Sequence, residues 1–213
     1  MVKVYVTDIC NLSDPKENPT LMSGLSEYRK QKIQRHQTAE KRRQSLGAGL
    51  LLQRVLQQYD KDEQFVVVNE HGKPEIEGLY FNISHSGDKV VCVVSDKKVG
   101  CDIEKYRQSP ANMAEHFYSE SEKKYLAQFD GQLYNEAFLR IWTLKESYVK
   151  MTGEGMAISR GQFEMLLDED VKVLRDGNVM SCCFREYKIG EYLMAVCSED
   201  AEYIDELQEV SIC

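Results

Sequence analysis

Two acidic residues in a segment with strand character are the first feature of the sequence that could do chemistry. Residues 99–104 follow an apolar run and a polar turn, which predicts a strand. Alternate residues of a strand share a face, so Asp102 and Glu104 point the same way. Paired carboxylates repel unless a cation lies between them, and Mg²⁺ takes one or two carboxylates plus phosphate and water oxygens. Taken alone, the segment favours a simpler interpretation, an exposed edge strand with two solvated acids.

A second stretch places an acid and two lysines on a helix. Residues 138–150 have apolar side chains at helical spacing, and Gly153 is a suitable end for the helix. Glu146 and Lys150 are four residues apart and share a face, with Lys145 beside them. If the two stretches were unrelated, an ordinary Glu–Lys pair on a helix with a core tryptophan would be the better interpretation.

Together, the two stretches resemble the signature motifs of the 4′-phosphopantetheinyl transferases, in particular the larger, two-lobed (Sfp-type) kind. Residues 100–104 match G-x-D-x-E, and residues 142–150 match W-x-x-K-E-x-x-x-K, in the family's order. The resemblance extends over residues 43–153. It implies an α+β fold of two similar lobes, residues 1–98 and 99–213, related by a pseudo-twofold with the active site between them. A repeated order of strand, helices and hairpin, at a period of about 100 residues, agrees with a duplication.

The resemblance implies transfer of the 4′-phosphopantetheine arm of coenzyme A to a carrier-protein serine, with release of 3′,5′-ADP. Asp102, Glu104 and Glu146 are the implied Mg²⁺ ligands. Lys145 and Lys150 are implied to lie along the phosphates, Lys150 more directly. We expect Asp102, Glu146 and Lys150 to be catalytic, with Glu146 taking the serine proton directly or through a metal-bound water.

Glu122 is an alternative acid for the same site. The family often carries a further acid before the second motif, and Glu122 matches that position. The residues around it also predict a structural role, because Ser119 and Glu122 have the spacing of a capping box at a helix N-terminus. The sequence leaves the acceptor of the serine proton open between Glu146, Glu122 and a metal-bound water.

The coenzyme A contacts implied by the resemblance lie in the first half of the chain. Arg43 falls where the family places an arginine on the 3′-phosphate, and Lys73 lies in a Gly-Lys-Pro turn that should project it outward. Ser84 and His85 match the N-x-S-H-S motif and are implied to bind the nucleotide phosphates. The basic helical region before Arg43 offers a further phosphate ligand that the sequence does not single out, namely Arg29, Lys30 or Lys32.

Other classes of function fit less well. A hydrolase built on Ser84 and His85 lacks a G-x-S-x-G elbow, and adjacent residues of a strand point apart. Another Mg²⁺-dependent phosphotransferase would need a phosphate-binding loop or a kinase signature set, which the sequence does not contain. The remaining alternative is a non-catalytic coenzyme A-binding module of the same fold, although the complete set of acids and lysines argues against it.

Composition predicts the setting in which the protein acts. The net charge of −8 disfavours a nucleic-acid partner, and no apolar run approaches the length of a membrane span. The opening residues alternate like a strand rather than a signal peptide, and 7 cysteines without metal spacing suggest a reducing cytoplasm. A single chain with both lobes implies a monomer. Because carrier proteins are usually acidic, we expect docking through a local basic or apolar patch near Met113, Phe117 and Tyr118.

Overall fold

The computed structural model describes residues 1–108, 113–203 and 206–212, except for the side chain of Met156. Its strands are β1 (Lys3–Asp8), β2 (Val67–Val68), β3 (Pro74–Glu75), β4 (Tyr80–Ser86), β5 (Lys89–Ser95), β6 (Val99–Lys105), β7 (Phe163–Leu167), β8 (Val171–Arg175), β9 (Asn178–Val179), β10 (Cys183–Ile189), β11 (Tyr192–Ser198) and β12 (Gln208–Glu209). Its α-helices are α1 (Glu27–Arg35), α2 (Ala39–Gln57), α3 (Met113–Phe117), α4 (Glu120–Leu126) and α5 (Gly131–Thr152). Mainly antiparallel strands with helices packed beside them confirm the predicted α+β class.

Two sheets carry the architecture, and both halves of the chain pair their strands in the same order. The first sheet has the order β12-β1-β5-β4 and the second β10-β11-β6. In each half, an opening strand pairs antiparallel with the second strand of a later hairpin, β1 with β5 and β6 with β11. This agreement is what the sequence echo led us to expect. The pseudo-twofold and the division after Lys98 remain predictions.

The two sheets and two long helices form successive layers. Leucines of α2 pack on the first sheet in one apolar core that includes Val90 and Cys92. Helix α5 covers the second sheet in another core, which includes Ala195 and Cys197. The remaining faces of the two sheets pack against each other in a third core, which includes Val91 and draws residues from both halves. Burial of these apolar faces is the main force that holds the two halves together.

Gly100 lets α5 lie directly on β6. A Cβ at this position would overlap the backbone nitrogen of Met151 and the carbonyl oxygen of Ser147. Because glycine has no side chain, the helix can approach until its inward face meets the acidic face of the strand. Helix α5 ends as predicted at Gly153, which has a left-handed conformation with φ of 78°.

The structure departs from the sequence expectations at several elements. The segment between α2 and β3 forms only the two-residue strand Val67–Val68, because the residues before it, Glu63–Phe65, form a 3₁₀ turn. A third sheet, with the order β7-β8-β9, was not predicted, and β12 returns to pair in parallel with β1 of the first half. In the described part of the chain, no helix combines the length and the apolar character needed to cross a bilayer.

Candidate active site

Side chains of β4 join the edges of the two main sheets. Strands β4 and β6 are edge strands of different sheets, and alternate residues of β4 accept hydrogen bonds from backbone N–H groups of β6. The contacts are Asn82 Oδ1 with Cys101 N at 3.1 Å, Ser84 Oγ with Ile103 N at 3.4 Å, and Ser86 Oγ with Lys105 N at 3.1 Å. The N-x-S-H-S motif therefore binds an edge strand that would otherwise leave donors unpaired.

The same two serines orient the two acids of β6. Ser84 donates a hydrogen bond to Asp102 Oδ1 at 2.9 Å, and Ser86 donates one to Glu104 Oε2 at 2.9 Å. The acids thus share a face, as strand alternation predicts. All hydrogen-bonding positions of the Ser84 hydroxyl are taken by protein groups, which disagrees with its predicted role as a phosphate ligand. In this structure Ser84 instead orients the carboxylate of Asp102.

Asp102 is held on one oxygen and left unpaired on the other. The side chain of Lys150 donates to Asp102 Oδ1 at 2.6 Å and to Ser84 Oγ at 2.9 Å. Asp102 Oδ2 is buried and has no hydrogen-bond partner among the described residues. An unsatisfied buried carboxylate oxygen is costly, so Oδ2 is in a position that suits a cation or a hydrogen-bond donor as its partner.

Burial dominates the electrostatics of this pair. Burial of Asp102, which is 5% exposed, raises its pKa to about 6, although the charge of Lys150 opposes the rise and that of Glu104 adds to it. Burial lowers the pKa of Lys150, but the charges of Asp102, Cys101 and Glu146 and the hydrogen bond to Asp102 together outweigh it, so the pKa is raised on balance. The charge of Glu146 contributes to both shifts, which places this third carboxylate within electrostatic reach of the pair.

Glu146 is bound by an arginine that the sequence motifs did not identify. Arg160 donates from Nε to Glu146 Oε1 at 2.6 Å and from Nη2 to Oε2 at 3.0 Å. Glu146 therefore does not pair with Lys150 four residues later, although both lie on the inward face of α5. Arg160 lies in a 3₁₀ turn, Arg160–Gln162, and belongs to no recognisable motif, so only its position in the fold reveals its contact.

The fit of these residues to Mg²⁺ can be tested on their donor atoms. Asp102 and Glu104 offer carboxylate oxygens on one face, and the unpaired Oδ2 of Asp102 is suited to a hard cation. Both oxygens of Glu146 are bound by Arg160, and within the residues that the structure describes no three potential ligands converge as a metal centre. The pair Asp102 and Glu104 fits the ion, whereas Glu146 is already paired with Arg160, whose positive charge opposes a second cation on the same carboxylate.

Lys145 lies in the interior, contrary to its predicted contact with coenzyme A. Its side chain is 0% exposed and donates to the carbonyl oxygens of Arg160 and Phe163, each at 2.7 Å. Its third contact is an ion pair with Glu122 Oε1 at 2.9 Å. An ammonium group has three donors, all of which are used here, so none is left for a phosphate. This prediction was wrong.

Glu122 has the structural role that its sequence context predicted. Its Oε2 accepts from the backbone N–H of Ser119 at 2.7 Å while Ser119 caps the helix in return, and together they form a capping box. Its Oε1 accepts from Met165 N at 2.7 Å as well as from Lys145. Glu122 is 1% exposed, so it is not positioned to take a proton from a substrate hydroxyl.

Lys73 does not project outward as the turn suggested. Its ammonium group donates to the carbonyl oxygens of Met151 at 3.1 Å and Val99 at 3.3 Å, and burial lowers its pKa. The Met151 carbonyl belongs to the last turn of α5, where a cation is favourable. Lys73 thus connects a loop of the first half to the end of α5, and at most one of its donors remains for a ligand.

The basic residues of α1 and α2 divide into paired and unpaired groups. Arg29 is buried against Glu63 at 3.1 Å, and Lys30 binds Glu27 at 2.7 Å. Neither Lys32 nor Arg43 makes an ion pair with any residue in the described ranges. Of the three candidates left open by the sequence, Lys32 is therefore the one whose charge is free for a phosphate.

His85 lies where several cations meet. Burial, together with the charges of Lys150, Lys41 and Lys32, lowers its pKa to about 4, so the imidazole is neutral at neutral pH. Its Nδ1 atom is buried without a partner among the described residues. The convergence of three positive charges on this histidine marks the surrounding surface as suitable for an anion.

A cleft between the two halves of the chain is lined by the site residues of α5, Glu146 and Lys150. A cavity of about 290 Å³ is lined by His71 and Asn82 from the first half and by Glu146, Lys150 and Arg160 from the second. A larger cavity of about 440 Å³ lies beyond Lys73, and its lining includes none of the acids Asp102, Glu104 and Glu146. Clefts of this size between two packed units are common ligand sites, and we assign the site to the smaller cavity because the charged groups line it.

The segment predicted to dock the carrier protein is only partly exposed. Tyr118 is 5% exposed, and its hydroxyl donates to the carbonyl oxygen of Phe138 at 2.8 Å. Phe117 packs edge-to-face on Trp142 with ring centroids 5.8 Å apart. Tyr118 is therefore a core residue, and only Met113 and Phe117 keep exposed area for a partner.

Comparisons with known proteins extend the similarity well beyond the two motifs. A sequence model of the 4′-phosphopantetheinyl transferase superfamily matches residues 98–197. The chain is 30% identical to 4′-phosphopantetheinyl transferase Sfp of Bacillus subtilis (strain 168), with 99% of this chain and 98% of the relative covered. It is 31% identical to a second Bacillus subtilis 4′-phosphopantetheinyl transferase over 97% and 96%. A solved holo-(acyl-carrier-protein) synthase of Bacillus anthracis in complex with CoA (3′,5′-ADP) aligns with a TM-score of 0.42 at 17% identity, over 47% of this chain and 93% of that chain.

Proposed function

This chain belongs to the 4′-phosphopantetheinyl transferase superfamily, and we propose that it transfers the 4′-phosphopantetheine arm of coenzyme A to a serine of an acyl or peptidyl carrier protein. One observation carries the proposal. Lys150 of the second motif binds Asp102 of the first motif at 2.6 Å, and both contact Ser84 of the third. The motifs thus assemble into one charged site beside a cleft.

In the proposed reaction, the serine hydroxyl attacks the phosphorus that carries the pantetheine. A new serine Oγ–P bond forms, the bridging P–O bond breaks, and 3′,5′-ADP leaves with the bridging oxygen. Negative charge on the phosphate oxygens increases along this path, so positioned cations lower the barrier. Lys150 provides one fixed charge, because Asp102 and Ser84 hold its ammonium group at the side of the cleft.

Mg²⁺ is proposed to be held by Asp102 and Glu104, and when bound it neutralises phosphate oxygens and orients them. The serine proton needs an acceptor at the cleft. Glu146 stays our proposed acceptor, because it lines the cavity and each of its oxygens keeps a lone pair beyond its contact with Arg160. Glu122 is removed from this role by its buried contacts.

The nucleotide end of coenzyme A is proposed to bind on the cationic surface around His85. Arg43 and Lys32 supply charges that no described acid neutralises, and His85 offers a neutral imidazole whose Nδ1 is unpaired. Lys73 is proposed to contribute mainly by holding its loop against the end of α5. Arginine suits a terminal phosphate because its planar group donates two parallel hydrogen bonds.

The setting and partners are proposals as well. Both motifs and both halves lie in one chain, which supports a monomer that binds coenzyme A and one carrier protein at a time. Buried free thiols at Cys92, Cys101 and Cys197 are consistent with a reducing cytoplasm. The apolar residues Met113 and Phe117 remain the proposed point of contact with the carrier.

Intact-mass measurement of apo carrier proteins tests the activity. Each carrier of a fatty-acid, polyketide and peptide-synthetase panel is incubated with this protein, coenzyme A and Mg²⁺, with EDTA as the control. We expect a gain of one phosphopantetheine arm that requires Mg²⁺. Asp102→Ala should abolish the gain, whereas Asp176→Asn, which alters an acid on the surface, should not. Binding of coenzyme A without transfer to any carrier would instead support a non-catalytic binding module.

A further inference from the structure

Among the described residues at the cleft, Arg160 is a cation whose role the proposed reaction leaves unassigned. Its side chain is 20% exposed and binds both oxygens of Glu146, whose side chain is 12% exposed. Its backbone is fixed separately, since the buried Lys145 donates to the Arg160 carbonyl at 2.7 Å. The guanidinium can therefore change partner by side-chain rotation, while the backbone at this position stays in place.

Charge balance at the site indicates when such a change would occur. Asp102, Glu104 and Glu146 supply three negative charges, and Lys150, Arg160 and Arg107, which lies 3.9 Å from Glu104, supply three positive charges. A divalent cation would raise the sum to about +2, and the diphosphate of coenzyme A would then bring two negative charges. The incoming diphosphate thus needs the positive charge that the cation makes available.

Arg160 and a divalent cation would also compete for the same atoms. Arg160 takes one lone pair of each Glu146 oxygen, at 2.6 and 3.0 Å, and its positive charge would repel a divalent cation on the same carboxylate, so metal ligation by Glu146 favours the release of Arg160. Once released, Arg160 would have a new partner in a diphosphate bound in the same cavity, because Arg160 lines this cavity together with Lys150. Its planar fork suits phosphate oxygens as well as it suits a carboxylate.

We propose that Arg160 is a counter-ion that exchanges partners during binding. It holds Glu146 before the substrates enter, and it moves to the diphosphate of coenzyme A as Glu146 turns to the divalent cation. Arg160 thereby couples the binding of the cation to that of coenzyme A. The proposal rests on the proposed function, of which it names a further substrate-binding residue.

The test compares Arg160→Met with Arg140→Met as a matched control. Arg140 binds Glu186 through the same two-pronged contact, at 2.7 and 2.8 Å, on the outer face of the second half. The first measurement titrates Mn²⁺ into each protein alone, with free Mn²⁺ followed by electron paramagnetic resonance. We expect Arg160→Met to bind Mn²⁺ more tightly, by up to about tenfold, because its competitor is gone. Arg140→Met should bind Mn²⁺ like the wild type.

The second measurement is the affinity for coenzyme A in the presence of Mg²⁺, from KM in the transfer assay and from Kd by calorimetry. In Arg160→Met, the loss of one bidentate charged contact should weaken the affinity for coenzyme A by about tenfold or more. Arg160→Lys keeps the charge without the fork and should lie between the wild type and Arg160→Met in both measurements. Tighter Mn²⁺ binding together with weaker coenzyme A binding supports the exchange.

Several results would overturn it. If Arg160 were only structural, both affinities would fall together with the melting temperature, and unchanged affinities would equally refute the exchange. If Arg160→Met does not fold, Mn²⁺ binding by Arg160→Lys that is no tighter than the wild type's refutes it. If the wild type modifies no carrier, the proposed function fails, but the Mn²⁺ titration and the calorimetric Kd still decide the role of Arg160.

Discussion

Replacing Asp102 with asparagine should stabilise the protein while abolishing its activity. The pKa of Asp102 rises from 3.8 to about 6 on folding, chiefly because the carboxylate is buried. At about 1.4 kcal/mol per pKa unit, ionisation of Asp102 above pH 6 costs the folded state about 3 kcal/mol. Asparagine has nearly the same shape and never ionises. Allowing for relaxation of Lys150, we expect Asp102→Asn to raise the free energy of unfolding at pH 7.5 by about 1–3 kcal/mol.

The sign of the pH dependence is the sharper part of this prediction. The folded protein binds the Asp102 proton more tightly than the unfolded chain does. The contribution of Asp102 to the free energy of unfolding of the wild type is therefore largest below about pH 4, where the carboxyl is protonated in the folded protein. This contribution is lost as the pH rises through about 6. The advantage of Asp102→Asn should then be present at pH 7.5 and nearly absent at pH 4. The assay is urea denaturation in EDTA at both pH values, followed by circular dichroism.

Asp14→Asn is the matched control with the opposite sign. The hydrogen bonds from Arg42 lower the pKa of Asp14 to about 2, so its charge stabilises the folded state above that range. This variant should be less stable than the wild type at both pH 7.5 and pH 4. Added Mg²⁺ should stabilise the wild type more than Asp102→Asn. A lower stability of Asp102→Asn at pH 7.5 in EDTA would refute the argument that burial dominates the electrostatics of Asp102.

Three further substitutions test other parts of the structure. Lys145→Met should lower the free energy of unfolding by about 3–5 kcal/mol, because it leaves Glu122 as a buried charge without its ion-pair partner. The fraction of this variant that stays folded should keep the wild-type KM for coenzyme A. A higher KM at normal stability would instead restore Lys145 as a ligand. Gly100→Ala should prevent α5 from packing on β6 and abolish cooperative thermal unfolding, whereas Gly161→Ala has room for a methyl group and should unfold normally. Asn82→Ala should cost about 1–3 kcal/mol in urea denaturation, because a buried N–H of β6 loses its acceptor, and an unchanged midpoint would show that water replaces it.

Several features of the site follow from local rules and were predictable from the sequence. Strand alternation places Asp102 and Glu104 on one face, and helical spacing places Glu146 and Lys150 on the inward side of α5. The capping box at Ser119 and the end of α5 near Gly153 depend on residues within a few positions of each other. These features are decided by short-range sterics and hydrogen bonds, which neighbouring residues control.

The third sheet and the short strands were harder to predict. Strands β7 and β8 lie beyond residues 43–153, the stretch over which the motifs resemble the family, and β12 consists of two residues, Gln208–Glu209. Such strands depend on the sheet edge that accepts them more than on their own propensity. The partner of β12 is β1, about 200 residues earlier. Nothing in the local sequence indicates a contact of that range.

By itself, then, the sequence determined which residue types could form a charged site and the faces on which they lie. Only the tertiary structure decided which acid each cation meets. Lys150 reaches Asp102, Lys145 turns inward to Glu122, and Arg160 takes Glu146. The physical reason is that an ion pair between distant elements forms only where backbone packing brings the elements together, and packing depends on features such as the missing side chain at Gly100. Charge alone does not tell a buried structural lysine from one that lines the cleft.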